Sequence, residues 1–211
     1  MPAIIFDFDG TLCDSLQESV VVLNKLAEVY GFNQVHPEAY DELRAMNSRQ
    51  LLKRLGIPLS KLPFVIRKGR QMLHSRMAEL KPIPGIREML TQLKSRSLTL
   101  GILTSNSKAN VEEFLSRNNL NVFDFIYSGS SIFGKAKLLK KLFRDLSLNP
   151  QAAIYVGDET RDIEAAKASL SRVIAVSWGL NSDSALSDEK PDFLIHNPSE
   201  LTEIVSKLRT V

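Results

Sequence analysis

Short apolar runs recur along the chain, each separated from the next by a stretch long enough for a helix. Residues 3–6, 98–104, 125–127, 152–156, 173–176 and 193–195 are such runs, most of them rich in β-branched side chains. Strand-like runs alternating with helical stretches predict an α/β chain with a parallel sheet, right-handed crossovers and helices on both faces, a Rossmann-like three-layer core. A closing amphipathic helix is expected over 200–209, after Pro198-Ser199. The alternation fails once. Between 15 and 82 no run reads as a strand, whereas 16–30, 48–55 and 61–80 carry helical spacing, punctuated by Gly31, Gly56-Ile57-Pro58 and Lys81-Pro82-Ile83-Pro84-Gly85. The pattern predicts an all-helical cap domain over 15–82, inserted into a core formed by 1–14 and 83–211. Leaving from the carboxyl end of the first strand, such an insert would sit like a lid over whatever that strand end carries.

Composition narrows the function classes. The 211 residues are 44% hydrophobic and 24% charged, enough for a core of one or two domains and without low-complexity segments. The net charge of +3 is dispersed, which fits attraction for small anions better than a nucleic-acid-binding stripe. One cysteine, Cys13, excludes an internal disulfide and suits a reducing compartment; it is expected as a small packed residue and not a reactive thiol. No apolar stretch has bilayer-spanning length, and the first strand begins too near Met1 for a removable leader, so a cytoplasmic protein without membrane contact is expected.

The chemistry gathers at strand ends. Ile4-Ile5-Phe6-Asp7-Phe8-Asp9-Gly10-Thr11 puts two carboxylates at the mouth of the first strand and follows them with a glycine able to turn sharply. Side chains two apart on a strand share a face, and paired carboxylates repel unless a cation or a shared proton relieves them. A hard ion such as Mg2+ would do so; the plain alternative is a solvated turn. Ile154-Tyr155-Val156-Gly157-Asp158-Glu159-Thr160-Arg161-Asp162 repeats the theme. Asp158 falls at a strand end and Asp162 about one turn into the next helix, so both can face one metal, with Arg161 between them. Thr104-Ser105-Asn106-Ser107 precedes a helix beginning near Lys108, where hydroxyl and amide groups are either an anion site or ordinary caps. Gly134-Lys135-Ala136-Lys137 opens a further helix with a lysine that opposes the helix dipole unless an anion is near. Lys140 and Lys141 follow one turn on, and a solvated basic face is the simpler reading of any one of these lysines.

In order and spacing, Asp7-Phe8-Asp9-Gly10-Thr11, Ser105-Asn106, Lys135 and Gly157-Asp158-Glu159-Thr160-Arg161-Asp162 resemble the four motifs of the haloacid dehalogenase-like (HAD) hydrolase superfamily. The resemblance spans nearly the whole chain, the 15–82 insert is similar to that superfamily's helical cap, and the nearest subgroup is the phosphoglycolate phosphatase-like one. It implies an Mg2+-dependent phosphatase acting on a small phosphorylated metabolite, with phosphoglycolate foremost and pyrophosphate, nucleoside monophosphates and sugar phosphates behind it. Asp7 would then attack phosphorus and form an aspartyl-phosphate, while Asp9 serves as general acid and later as base. Mg2+ would be held by the Asp7 carboxylate, the Asp9 backbone carbonyl and Asp158, with Asp162 in support. Ser105, the Asn106 backbone N–H and Lys135 would hold the phosphate oxygens. Lys135 lacks the proline that often follows the third-motif lysine, so Lys137 stands as a second candidate.

Three rival functions share parts of this pattern. A dehalogenase needs neither metal nor second acid, which Asp9, Asp158 and Asp162 argue against. A phosphomutase would use the same core, and a non-catalytic phospholigand-binding protein would usually have lost the nucleophile or the acid. Specificity is expected from the insert, where Arg44, Asn47, Ser48 and Arg49 either meet a carboxylate or second phosphate or form an exposed interhelical turn. His36, His74 and His196 lie outside the motifs and carry no expected chemistry, and Trp178 is expected to pack.

Overall fold

The computed structural model describes residues 3–129 and 134–208. Its centre is a six-stranded, fully parallel sheet: β1 (Ala3–Phe6), β2 (Thr99–Thr104), β3 (Phe125–Ser128), β4 (Ile154–Gly157), β5 (Arg172–Val176) and β6 (Phe193–Ile195). The spatial order is β3-β2-β1-β4-β5-β6. The chain therefore winds outward in one direction from β1 and in the other from β4. The crevice between the carboxyl ends of those two strands is the switch point at which open α/β sheets bind ligands. Asp7 follows β1 directly and Asp158 follows β4, so both emerge there.

Side-chain alternation builds both faces. On one, Ile4 and Phe6 of β1 and Leu100 and Ile102 of β2 pack with α5 (Ile86–Ser95), α6 (Lys108–Arg117) and α10 (Pro198–Leu208). On the other, Ile5, Leu103 and Tyr155 meet α7 (Lys135–Asp145), α8 (Thr160–Ala168) and α9 (Asp183–Asp188). These strands are buried on both sides, which is why they read as continuous apolar runs. The α10 helix begins two residues before its expected start, and Arg209, its expected end, lies outside the described residues.

Between β1 and β2 lie α1 (Leu16–Tyr30), α2 (Tyr40–Arg44), α3 (Ser48–Arg54) and α4 (Leu62–His74), without a strand among the described residues. They enclose their own apolar cluster, with Val22 and Leu26 of α1 against Leu62 and Val65 of α4. The α4 helix ends at His74 instead of running on to residue 80 as its spacing predicts. Its last turns relax into three-residue bonds, Arg76 N–H to the Leu73 carbonyl (2.9 Å) and Met77 N–H to that of His74 (3.2 Å). Met77 and Leu80 are buried with the sheet's core and not with the insert's, so the chain leaves the helix to deliver them there.

Candidate active site

The end of β1 carries the site. The Asp7 N–H is held by the Val156 carbonyl of β4 (2.8 Å), so the backbone beyond both strands is locked together. Asp7 Oδ1 accepts from the Phe8 N–H (2.8 Å) and Oδ2 from Lys135 Nζ (2.6 Å). The same ammonium contacts Asp162 Oδ1. Asp162 Oδ2 accepts from the Glu159 N–H (3.0 Å), so this carboxylate both caps α8 and faces the site. Asp158 accepts from the Thr11 hydroxyl (2.7 Å) and the Leu180 N–H (2.8 Å). Asp7, Asp158 and Asp162 present carboxylate oxygens all within 4.8 Å of one another, and all three residues are buried.

Backbone clearance makes this convergence possible. Gly10 sits at φ +73°, and a Cβ there would overlap the Asp158 carboxylate, as would a Cβ on Gly179. The donor set is entirely carboxylate oxygen, excluded from water, and matched by one ammonium against three acids. Burial first, then the neighbouring Glu159 and Asp162, pushes Asp158 well above the usual carboxylate range. Burial also lifts Asp162 to about 6, against the pull of Lys135. Oxygen ligands whose ionisation is opposed by their surroundings suit a hard divalent cation. The residues present fit one.

Asp9 stands beside this triad with a different environment. Its carboxylate accepts from Ser15 Oγ (3.0 Å) and from Asn106 Nδ2 (3.0 Å to Oδ2). Burial, and next the Asp7 charge, pushes it up to about 6, as a residue that must hold a proton to donate would require. Asn106 is held in turn: its Oδ1 accepts from Asn110 Nδ2 (2.8 Å), whose Oδ1 meets His74 Nδ1 of α4 (2.7 Å). Asp9, Ser105 and Asn106 line a cavity of about 310 Å3 whose far wall belongs to the helical insert.

The other expected residues fall as follows. Lys135 is buried in the site, while Lys137 is exposed. Ser105 reaches the cavity, but the Asn106 N–H, expected to face phosphate, is taken by the Thr104 hydroxyl (2.9 Å). Arg44 does not line that cavity; its guanidinium donates to the carbonyls of Leu180 (3.0 Å) and Gly179 (3.2 Å). Arg49 is exposed and borders a separate polar cleft with Lys135 and Arg161. Asn47 caps α3, and the Ser48 hydroxyl meets Glu159. Cys13 is fully buried, its thiol pushed up by burial, as expected of a packing residue. Trp178 packs against the core and also donates to the Thr11 carbonyl (3.1 Å). Sequence reasoning missed Thr11, Asn110, His74 and Arg70. Thr11 stood in the first motif without a role of its own, and Asn110, His74 and Arg70 carry no local sign of their contacts.

Known proteins share this plan. The family model for haloacid dehalogenase-like hydrolases matches residues 4–176. A phosphoglycolate phosphatase of Synechococcus elongatus is 39% identical over 209 residues, covering 99% of each chain. The pyrophosphatase PpaX of Bacillus cereus is 27% identical, covering 97% of this chain and 96% of its own. Among solved structures, one described as a predicted phosphatase from Clostridium acetobutylicum superposes with a TM-score of 0.84 at 21% identity, covering 98% of both chains. No helix among the described residues is long and apolar enough to cross a membrane. The family model spans most of the chain's length, and a relative at 39% identity covers nearly all of it: the protein belongs to the haloacid dehalogenase-like hydrolases, as one of their phosphatases.

Proposed function

We propose that the chain hydrolyses a small phosphate monoester, phosphoglycolate foremost, through a phosphorylated Asp7, with Mg2+ at the acid triad and residues 15–82 acting as a cap. The observation that carries this reading is the division of labour among the strand-end acids: Asp7 faces Asp158, Asp162 and Lys135, whereas Asp9 is held apart by Ser15 and Asn106. Likeness to the phosphoglycolate phosphatase at 39% identity supports the choice of substrate.

Asp7, Asp158 and Asp162 would hold the cation, with the Asp9 backbone carbonyl as a further oxygen. Bound there, it would offset the charge that otherwise sets Asp7 against a phosphate dianion. An Asp7 oxygen attacks phosphorus; the bond to the leaving alcohol breaks, and Asp9 gives that oxygen its proton. The ionised Asp9 then takes a proton from water, whose oxygen attacks phosphorus as the bond to the Asp7 oxygen breaks, releasing inorganic phosphate and restoring both aspartates. Lys135, buried beside Asp7, and Ser105, at the cavity, oppose the charge on the non-bridging oxygens. The Asn106 amide keeps Asp9 aimed at the leaving group.

Assay of p-nitrophenyl phosphate hydrolysis in Mg2+ tests the roles. Asp7→Asn should abolish turnover, because an amide is a poor nucleophile. Asp9→Asn should lower kcat by roughly 10²–10⁴-fold by removing the acid. Turnover by Asp7→Asn at the wild-type rate would contradict the assignment.

A further inference from the structure

The cavity beside Asp9 is where the alcohol half of a monoester must lie if Asp9 is to protonate it. Its wall from the insert is largely apolar, with Val22, Leu26, Val65 and Leu73 contributing. Among the described residues the only hydroxyls the insert adds to it are those of Ser19 and Ser48, the latter engaged with Glu159, so most hydroxyls of a sugar would lose water on entry without replacement.

Two cations interrupt the cavity lining, Arg70 and Arg161. Arg161 is committed: Nε and Nη2 donate to the two oxygens of Glu159 (2.8 and 2.5 Å). Arg70, on α4, is held differently. Its Nη2 donates to the Gly129 carbonyl just beyond β3 (3.0 Å), and its own carbonyl accepts from Asn110 Nδ2 (3.3 Å). Backbone and side-chain tip are therefore both tied to the sheet domain. Nε and Nη1 have no hydrogen-bond partner, and no acid lies within ion-pair distance, among the described residues. Burial draws the guanidinium pKa down, with the field of nearby Asp9 opposing. A half-buried guanidinium with free donors, in an apolar wall facing the general acid, lacks an anion of its own.

We propose that Arg70 determines specificity by pairing with a carboxylate on the alcohol half of the substrate, so that phosphate esters of small hydroxy acids are preferred over those of neutral alcohols. This rests on the mechanism and the phosphoglycolate reading proposed above. With Arg161 engaged by Glu159, Arg70 is the cation of this lining left to meet an anionic leaving group, among the described residues. The planar fork of the guanidinium matches a carboxylate as no ammonium does.

The experiment measures kcat and KM in Mg2+ for 2-phosphoglycolate and ethyl phosphate, which differ by a carboxylate in place of a methyl group, using wild type, Arg70→Gln and Arg70→Lys. The readout is the ratio of the two kcat/KM values. We expect a wild-type preference for 2-phosphoglycolate that falls at least tenfold in Arg70→Gln, mainly through KM, and is partly recovered in Arg70→Lys. A wild-type preference that Arg70→Gln leaves intact overturns the assignment while the phosphoglycolate reading stands. Absence of any wild-type preference overturns that reading, and the assignment with it. Should Arg70→Gln lose its cooperative thermal transition, Arg70→Lys decides: a ratio at least threefold below wild type supports the assignment, and an equal ratio overturns it.

Discussion

Asp158 shows how much of the site depends on what is missing around it. The Thr11 hydroxyl and the Leu180 N–H hold its two oxygens, and the space beside them exists because Gly10 and Gly179 carry no Cβ. Gly179→Ala places a methyl group where Asp158 stands, and the neighbour is a fixed, doubly hydrogen-bonded carboxylate that cannot swing away. The loop after β5 would have to retreat, straining the Arg44 contacts to the Gly179 and Leu180 carbonyls as well. A loss of roughly 1–3 kcal/mol in urea unfolding is expected, together with a higher Mg2+ concentration for half-maximal activity. An unchanged Mg2+ requirement would show that Asp158 does not need this clearance. The acids themselves were legible because a strand-end carboxylate followed by glycine is a local pattern. Gly179 has no local sign, since its contact with Asp158 arises only when β4 and β5 lie side by side. Asn106 was legible as a polar residue ahead of a helix, but its grip on Asp9 spans 97 residues of chain and leaves no local sign.

At the scale of elements, α4 and α6 are joined by one buried amide. Asn110 donates to Asn106 Oδ1 (2.8 Å) and to the Arg70 carbonyl (3.3 Å), and its Oδ1 meets His74 Nδ1 (2.7 Å). Since its amide nitrogen is the donor to Asn106, its oxygen must accept from His74, which fixes the imidazole proton on Nδ1. Asn110→Leu keeps the branching of the side chain and deletes all three bonds, leaving Asn106, His74 and the Arg70 carbonyl short of a partner. Destabilisation of about 1–3 kcal/mol is expected from the shift in urea midpoint, with kcat reduced because Asn106 is freed beside Asp9. Equal stability and kcat would mean that the helices are held together by apolar packing alone. The four inner strands were legible as apolar runs because they are largely buried on both faces, and the edge strands β3 and β6, only partly covered, because their side chains are still mostly apolar. The α4 terminus was not, because residues 75–80 suit a helix locally and are drawn out of it by the distant burial of Met77 and Leu80. The short α2 was also missed. With five residues and one buried side chain, Leu43, it is too brief to display a period.

For the molecule as a whole, the acid cluster turns cation binding into a pH-dependent contribution to stability. Asp9 and Asp162 keep their protons in the fold up to pH about 6, whereas the unfolded chain releases them near the ordinary 3.8. Their contribution is therefore fully present below pH 4 and is lost as pH rises through 6; Asp158, raised further, continues the loss at higher pH. Metal-free protein is thus weakened over the range in which an enzyme using Asp7 must work. Cation binding requires the ionised carboxylates, so Mg2+ held there, as proposed, would compete with protons and its stabilising effect would grow as they leave. At 100 times the dissociation constant, binding to the folded state alone contributes about 2.7 kcal/mol. In a chain of this length, that corresponds to a Tm increase of roughly 5–10 °C. Melting curves with and without Mg2+ should show that increase at pH 7.5 and little of it at pH 4.5. Asp158→Asn should show little at either pH, because its side chain can still accept from the Leu180 N–H and donate to Thr11 Oγ1 while a charged ligand is lost. A wild-type Mg2+ effect of equal size at both pH values would separate the cation from these carboxylates and place it elsewhere on the protein.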